Sequence, residues 1–131
     1  MSTASSELTV KRRPIWFGLV GGAIAWTVHL MFAYVIAEFG CASDFGHRRY
    51  LDLSLVTWLE SLLSLITTAV AFAATLIAYF AYASLRTEDV AVDSEVLAAR
   101  YMAWAGFLSS GLFTVVIMFE SIPILYYLRS C

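Results

Sequence analysis

The chain has 131 residues, of which 61% are hydrophobic and 14% charged. Water-soluble domains carry about 25% charged residues, so this balance excludes an ordinary globular protein. A formal net charge of −2, with no basic stripe beyond the N-terminal tail, leaves no footing for nucleic-acid binding.

Residues 1–10 (MSTASSELTV) form a polar tail of mostly small residues, followed by Lys11-Arg12-Arg13. A basic triplet before an apolar run has the outline of a secretory signal, with Ala23-Ile24-Ala25 as its cleavage site. The uncharged run continues through Trp26 to Ala37, longer than the roughly 7–15 residues of a signal core, so an uncleaved helix is expected. A twin-arginine signal is not expected, because Pro14 follows Arg12-Arg13 at once.

Three apolar stretches fill most of the chain: Ile15 to Phe39, Leu53 to Leu85 and Leu97 to Leu128. Each exceeds the ~20 residues that an α-helix needs to cross a bilayer core. The predicted fold is all-α, an integral membrane protein with three transmembrane helices. A polar tail, 1–13, precedes one domain, 14–131, with spans at about 15–39, 55–85 and 97–128. Pro14 suits the first turn of helix 1, and Gly40 its end. A short polar connection runs from Cys41 to Asp52. Helix 2 is longer than a membrane requires, so it tilts or projects. The second connection, Arg86 to Asp93, is acidic, and Asp93 or Ser94 can cap helix 3 with Glu95 in its first turn.

Lys and Arg near the span ends set orientation. Lys11, Arg12, Arg13, Arg86 and Arg100 lie on one side, and Arg48, Arg49 and Arg129 on the other. The larger group predicts an N-terminus inside. Three spans also place Cys41 and Cys131 on one common face, the oxidising one in that orientation. A disulfide between them is expected, worth about 3–5 kcal/mol in the chain-entropy model; the alternative is two unrelated thiols. No CxxC is present and His47 is the only nearby imidazole, so no metal site is predicted.

Ionisable side chains inside spans are rare and face protein or water. Here they are His29, Glu38, Glu60 and Glu120. Glu38 lies near the interface. Glu60 lies two turns into an overlong helix, so it is either interfacial or intramembrane. Glu120 lies ~10 Å along its helix from the Tyr126-Tyr127 belt. If the cysteines meet, His29 and Glu120 fall at nearly equal depth, which allows a hydrogen bond or ion pair. Pro123, one turn on, frees the carbonyl of Phe119. One reading is a proton or quinone-head site made by His29, Glu120 and Glu60. The other is polar contact between helices or with a partner subunit. Haem ligation would need a second axial His at matching depth. Helix 2 carries Thr57, Ser61, Ser64, Thr67, Thr68 and Thr75 near one face, while Gly18-xxx-Gly22 and Gly106-xxx-Ser110 suit close helix approach.

The sequence holds no GxSxG, HExxH, Walker loop or strand-linked GxGxxG. No enzyme, no cofactor and no catalytic residue is predicted, and no internal repeat suggests a transporter.

The run GGAIAWTVHLMFAYVIAEFGC resembles the first helix of small bacterial membrane proteins whose genes neighbour haem-copper oxidase genes. The positions that carry the likeness are Gly22, Trp26, His29-Leu30, Tyr34 and Cys41, with Cys131 at the far end. They cover about a fifth of the chain. Many of those proteins have Pro after the Gly, where this chain has Ala23. The resemblance implies an accessory role around a respiratory complex in the bacterial inner membrane. The resulting expectation is a non-catalytic accessory subunit of a respiratory or photosynthetic electron-transfer complex, packed against larger membrane subunits and lipids. A small oligomeric proton or ion conductor using Glu120 and His29, or a transient assembly factor, are the alternatives.

Overall fold

Three helices account for nearly all of the described backbone in a computed structural model, which describes residues 3–44, 47–86 and 94–128. They are α1 (Thr3–Ala42), α2 (Leu55–Arg86) and α3 (Ser94–Leu128). The segments Arg13–Ala42, Leu55–Arg86 and Ser94–Tyr127 are each long and apolar enough to cross a membrane. Two departures from the sequence reading concern α1. The expected tail is helical from Thr3, so Pro14 lies inside the helix and not in its first turn. No Gly or Pro interrupts residues 3–13, and Pro14 removes only the bond to the carbonyl of Val10. Gly40 does not end α1 either; the helix continues to Ala42, and no glycine among the described residues has a positive φ.

The distribution of side chains is inside-out relative to a soluble bundle. Leu65, Phe119 and Phe39 are 68%, 70% and 73% exposed, among many large apolar residues on the perimeter. The interior instead holds Ala25, Ala33, Ala71, Ala74, Ala78 and Ala103, together with Ser64, Thr67, Ser110, Thr114 and Ser121. Water would be a poor solvent for that perimeter, since apolar area left exposed forfeits ~25 cal/mol per Å². In hydrocarbon that term vanishes between helices, and close packing of small residues holds a bundle together instead. The chain is a multi-pass membrane protein by this physics.

After Val56, the buried positions of α2 run Thr57, Glu60, Ser64, Thr67, Ala71, Ala74, Ala78. Their alternating spacing of three and four residues is a heptad seam, the pattern of left-handed packing. Along it α1 and α2 run antiparallel. A Cβ on Gly18 would meet that of Ala78 at 2.8 Å, and one on Gly40 would meet Val56 Cγ2 at 2.7 Å. Gly40 is thus a packing glycine.

Helices α1 and α3 run parallel. A Cβ on Gly106 would stand 3.0 Å from the backbone of Gly18 and Leu19. One turn on, the Ser110 hydroxyl donates to the Gly18 carbonyl at 2.6 Å and accepts from the Gly22 N–H at 3.3 Å. One α3 side chain therefore clasps two groups of the α1 backbone that are themselves an i, i+4 pair.

The first connection holds a feature absent from the sequence reading. Strands β1 (Arg49–Tyr50) and β2 (Leu53–Ser54) pair antiparallel, Arg49 opposite Ser54 and Tyr50 opposite Leu53. The two turn residues, Leu51 (φ 52°) and Asp52 (φ 63°), are both left-handed, as a type I′ turn demands. Ser54 then caps α2, its Oγ accepting the Thr57 N–H at 3.2 Å. The Trp58 indole donates to the Tyr50 carbonyl at 3.1 Å, which pins the hairpin to the helix.

Candidate functional site

The ionisable groups expected inside the membrane are distributed over two places. His29 projects from the α1 seam toward α2 and is 0% exposed. Its Nδ1 lies 3.1 Å from Thr67 Oγ1. The Thr67 hydroxyl has one proton, and it donates that proton to the Leu63 carbonyl at 2.8 Å. With that assignment Thr67 accepts from His29 Nδ1–H, and in the neutral ring Nε2 is then an acceptor. No described group reaches Nε2.

Glu60, seven residues before Thr67 on the same seam, is also 0% exposed. It faces the interior of the bundle, between the helices. Both carboxyl oxygens are buried without a hydrogen-bond partner. One turn on, the hydroxyls of Ser64 and Ser121 lie 3.0 Å apart and tie α2 to α3.

Glu120 is half-buried and faces α1 elsewhere. Its Oε2 accepts the indole N–H of Trp26 at 3.1 Å. The Trp26 ring leans on Phe113, their centroids 5.4 Å apart. His29 and Glu120 thus meet α1–α2 and α1–α3 partners respectively, and no hydrogen bond among the described residues joins them directly. Trp26 and Thr67 are the partners that inspection of charged residues misses. The seam spacing in α2 points to Thr67, and Trp26 sits one turn before His29 on α1.

Glu38 is exposed near the end of α1. Cys41 sits in the last turn of α1, half-buried, and no described cysteine is free. Cys131, its expected partner, lies outside the described residues. Among the described residues no group of three or more His, Cys, Asp or Glu could hold a metal ion. Two of the perimeter's grooves are formed by described residues. One of ≈ 320 Å³ is lined by Tyr82, Leu97, Arg100, Tyr101 and Trp104, with the Arg100 guanidinium 5.8 Å from the Tyr82 ring centroid. The other, ≈ 340 Å³, is lined chiefly by Pro14, Ile15, Ile77 and Phe80 between α1 and α2. Comparison with protein-family models, curated proteins and solved structures finds no match to this chain.

Proposed function

We propose that this chain is a non-catalytic accessory subunit of a membrane-embedded electron-transfer complex, respiratory or photosynthetic, in a bacterial inner membrane. The observation that supports this reading is the contrast between a close-packed half of the interior and a largely apolar perimeter. Half of the bundle, from Gly18–Ala78 to Gly106, brings helices into backbone contact and leaves no chamber for a substrate. What the molecule offers to its surroundings is surface: exposed Met31, Phe32, Tyr34 and Phe39 on α1, and Leu112, Met118 and Phe119 on α3. Such faces suit the flanks of larger subunits and lipid acyl chains. The resemblance of Gly21–Cys41 to helices encoded beside haem-copper oxidases supplies the class of complex. In this reading the N-terminus lies inside and Cys41 pairs with Cys131 on the opposite face.

Gentle solubilisation from the native membrane and sizing test it. Co-migration in fixed ratio with haem-containing subunits is the expected outcome. Recovery in trace amounts relative to such a complex would instead mark an assembly factor. Recovery as a homo-oligomer would overturn the proposal and favour a second reading, an oligomeric proton conductor. That alternative is kept because His29 and Glu60 are buried with unpaired acceptor atoms.

A further inference from the structure

Glu60 stands two turns before Thr67 on the α2 seam, and Thr67 holds the His29 ring from α1, so the unpaired atoms Glu60 Oε1, Glu60 Oε2 and His29 Nε2 border one stretch of the interior ~10 Å long. A buried acceptor that makes no hydrogen bond bears its whole desolvation penalty. Native interiors satisfy such groups with protein or with ordered water.

The hydroxyls at this place bond to one another or to backbone carbonyls, and no described group reaches the Glu60 carboxyl or His29 Nε2. Thr67 donates to Leu63. The Ser54 and Thr57 hydroxyls bond one another at 2.8 Å. Ser64 and Ser121 form their own pair. The unmet demand is for donors small enough to enter a packed bundle, and a short file of waters would take its two or more polar partners each from Glu60, His29, the seam hydroxyls between them and one another.

The seam also changes character sharply. From the hairpin inward, Ser54, Thr57, Glu60, Ser64 and Thr67 are buried and each carries a side-chain oxygen. Ser121 joins them from α3 and His29 from α1. One turn beyond Thr67, the interior becomes Ala71, Ala25 and Ile117, packed as an apolar cluster with Trp26 against it. Ala74 and Ala78 continue the dry half, against Gly21 and Gly18.

We infer that the bundle interior between the hairpin and His29 is a water-occupied half-channel, with Glu60 and His29 as its water-binding groups and Ala25, Ala71 and Ile117 as its closed end. Water in it hydrogen-bonds to the Glu60 carboxyl and donates to His29 Nε2. Protons of the solvent on the hairpin side exchange as far as His29 and no further. The site is a property of the chain itself and stands whichever partner the perimeter meets. It also separates water access from conduction, because the apolar cluster of Ala25, Ala71 and Ile117 stands between Thr67 and the hydroxyls of Thr75, Ser110 and Thr114, which are bonded to backbone carbonyls.

Solid-state NMR on the full chain in lipid bilayers tests this, with magnetisation passed from water protons to isotope-labelled histidine. Of the two histidines, His47 is exposed in the first connection. The His47→Gln variant therefore leaves the His29 ring as the sole reporter without touching the bundle. The expected result is rapid transfer from water to the His29 ring in bilayers, and its loss in Glu60→Leu. A His29 ring that receives nothing from water in the folded His47→Gln protein overturns the half-channel, whether or not Glu60→Leu folds. Proton leak through reconstituted vesicles should match that of empty vesicles. Leak well above that level would overturn the closed end while leaving the accessory-subunit reading to its own sizing experiment.

Discussion

Substituting Gly22 by Ala tests the claim that backbone contact between α1 and α3 holds this bundle together. The added Cβ would fall 2.6 Å from Ser110 Cα, 2.8 Å from its Oγ and 2.9 Å from its Cβ. The nearest obstacle is backbone, which no rotamer change can move aside. Reaching an ordinary carbon–carbon separation of ~3.5 Å requires the helices to part by about 1 Å. That displacement breaks the Ser110 clasp, two bonds worth roughly 0.6 kcal/mol each by membrane-protein measurements. Overpacking strain adds about 1–3 kcal/mol. The sum is about 2–4 kcal/mol, a large part of a typical stability of ~5–15 kcal/mol. Gly111→Ala, on α3 beside Ser110, is the matched control. There a Cβ meets only Thr75 Cγ2, at an ordinary 3.7 Å. Greater helix propensity should leave that variant neutral or more stable by up to about 1 kcal/mol. Reversible unfolding of both variants in bicelles, followed by circular dichroism or steric trapping, reads the difference. A Gly22→Ala protein within about 0.5 kcal/mol of the parent would refute the reasoning, since no packing contact that tight could be so cheaply relaxed.

Thr67→Ala leaves the Nδ1–H of His29 without an acceptor and should cost about 1–3 kcal/mol in the same unfolding assay, while Thr67→Ser restores most of it. Trp26→Phe keeps an aromatic ring against Phe113 but removes the donor to Glu120, for a loss of about 0.5–1.5 kcal/mol; an unchanged midpoint would mean the bond contributes nothing. Leu51→Asn should raise stability by about 1 kcal/mol, because a left-handed backbone strains Leu more than Asn; a drop would show that the Leu51 side chain makes a contact of its own. Intact-mass measurement without reductant should find Cys41 and Cys131 joined, and Cys41→Ser should then lower stability by about 3–5 kcal/mol. Two free thiols would remove the disulfide from the proposed architecture.

The spans were legible in the sequence because lipid imposes a length and a solvent on every helix that crosses it. The glycine spacing was legible too: Gly18, Gly22, Gly106 and Ser110 do meet across α1 and α3. Equal depth for His29 and Glu120 was a statement about rise along an axis. Their partners depend on rotation about it, which turns His29 to Thr67 and Glu120 to Trp26. That rotation is recoverable only from the heptad phase of α2, in which a carboxyl at Glu60 shares the seam with alanines. The hairpin was hidden for a different reason. A type I′ turn is announced by Asn-Gly or Asp-Gly, and Leu51-Asp52 announces nothing. Likewise, nothing in Lys11-Arg12-Arg13-Pro14 forbids a helix from beginning eleven residues earlier.

The clasp by Ser110 has a bearing on how the protein is made. The chain emerges from its N-terminus, so α1 and α2 are complete while Ser110 is still unsynthesised. Until α3 arrives, Gly22 and the Gly18 carbonyl that Ser110 covers lie bare and can accept another helix whose surface is as flat. The final third of the polypeptide is thus the closing piece, and a ribosome that stalls before it leaves a two-helix intermediate with an adhesive flank. Cellular proteases that patrol the membrane would find their target there.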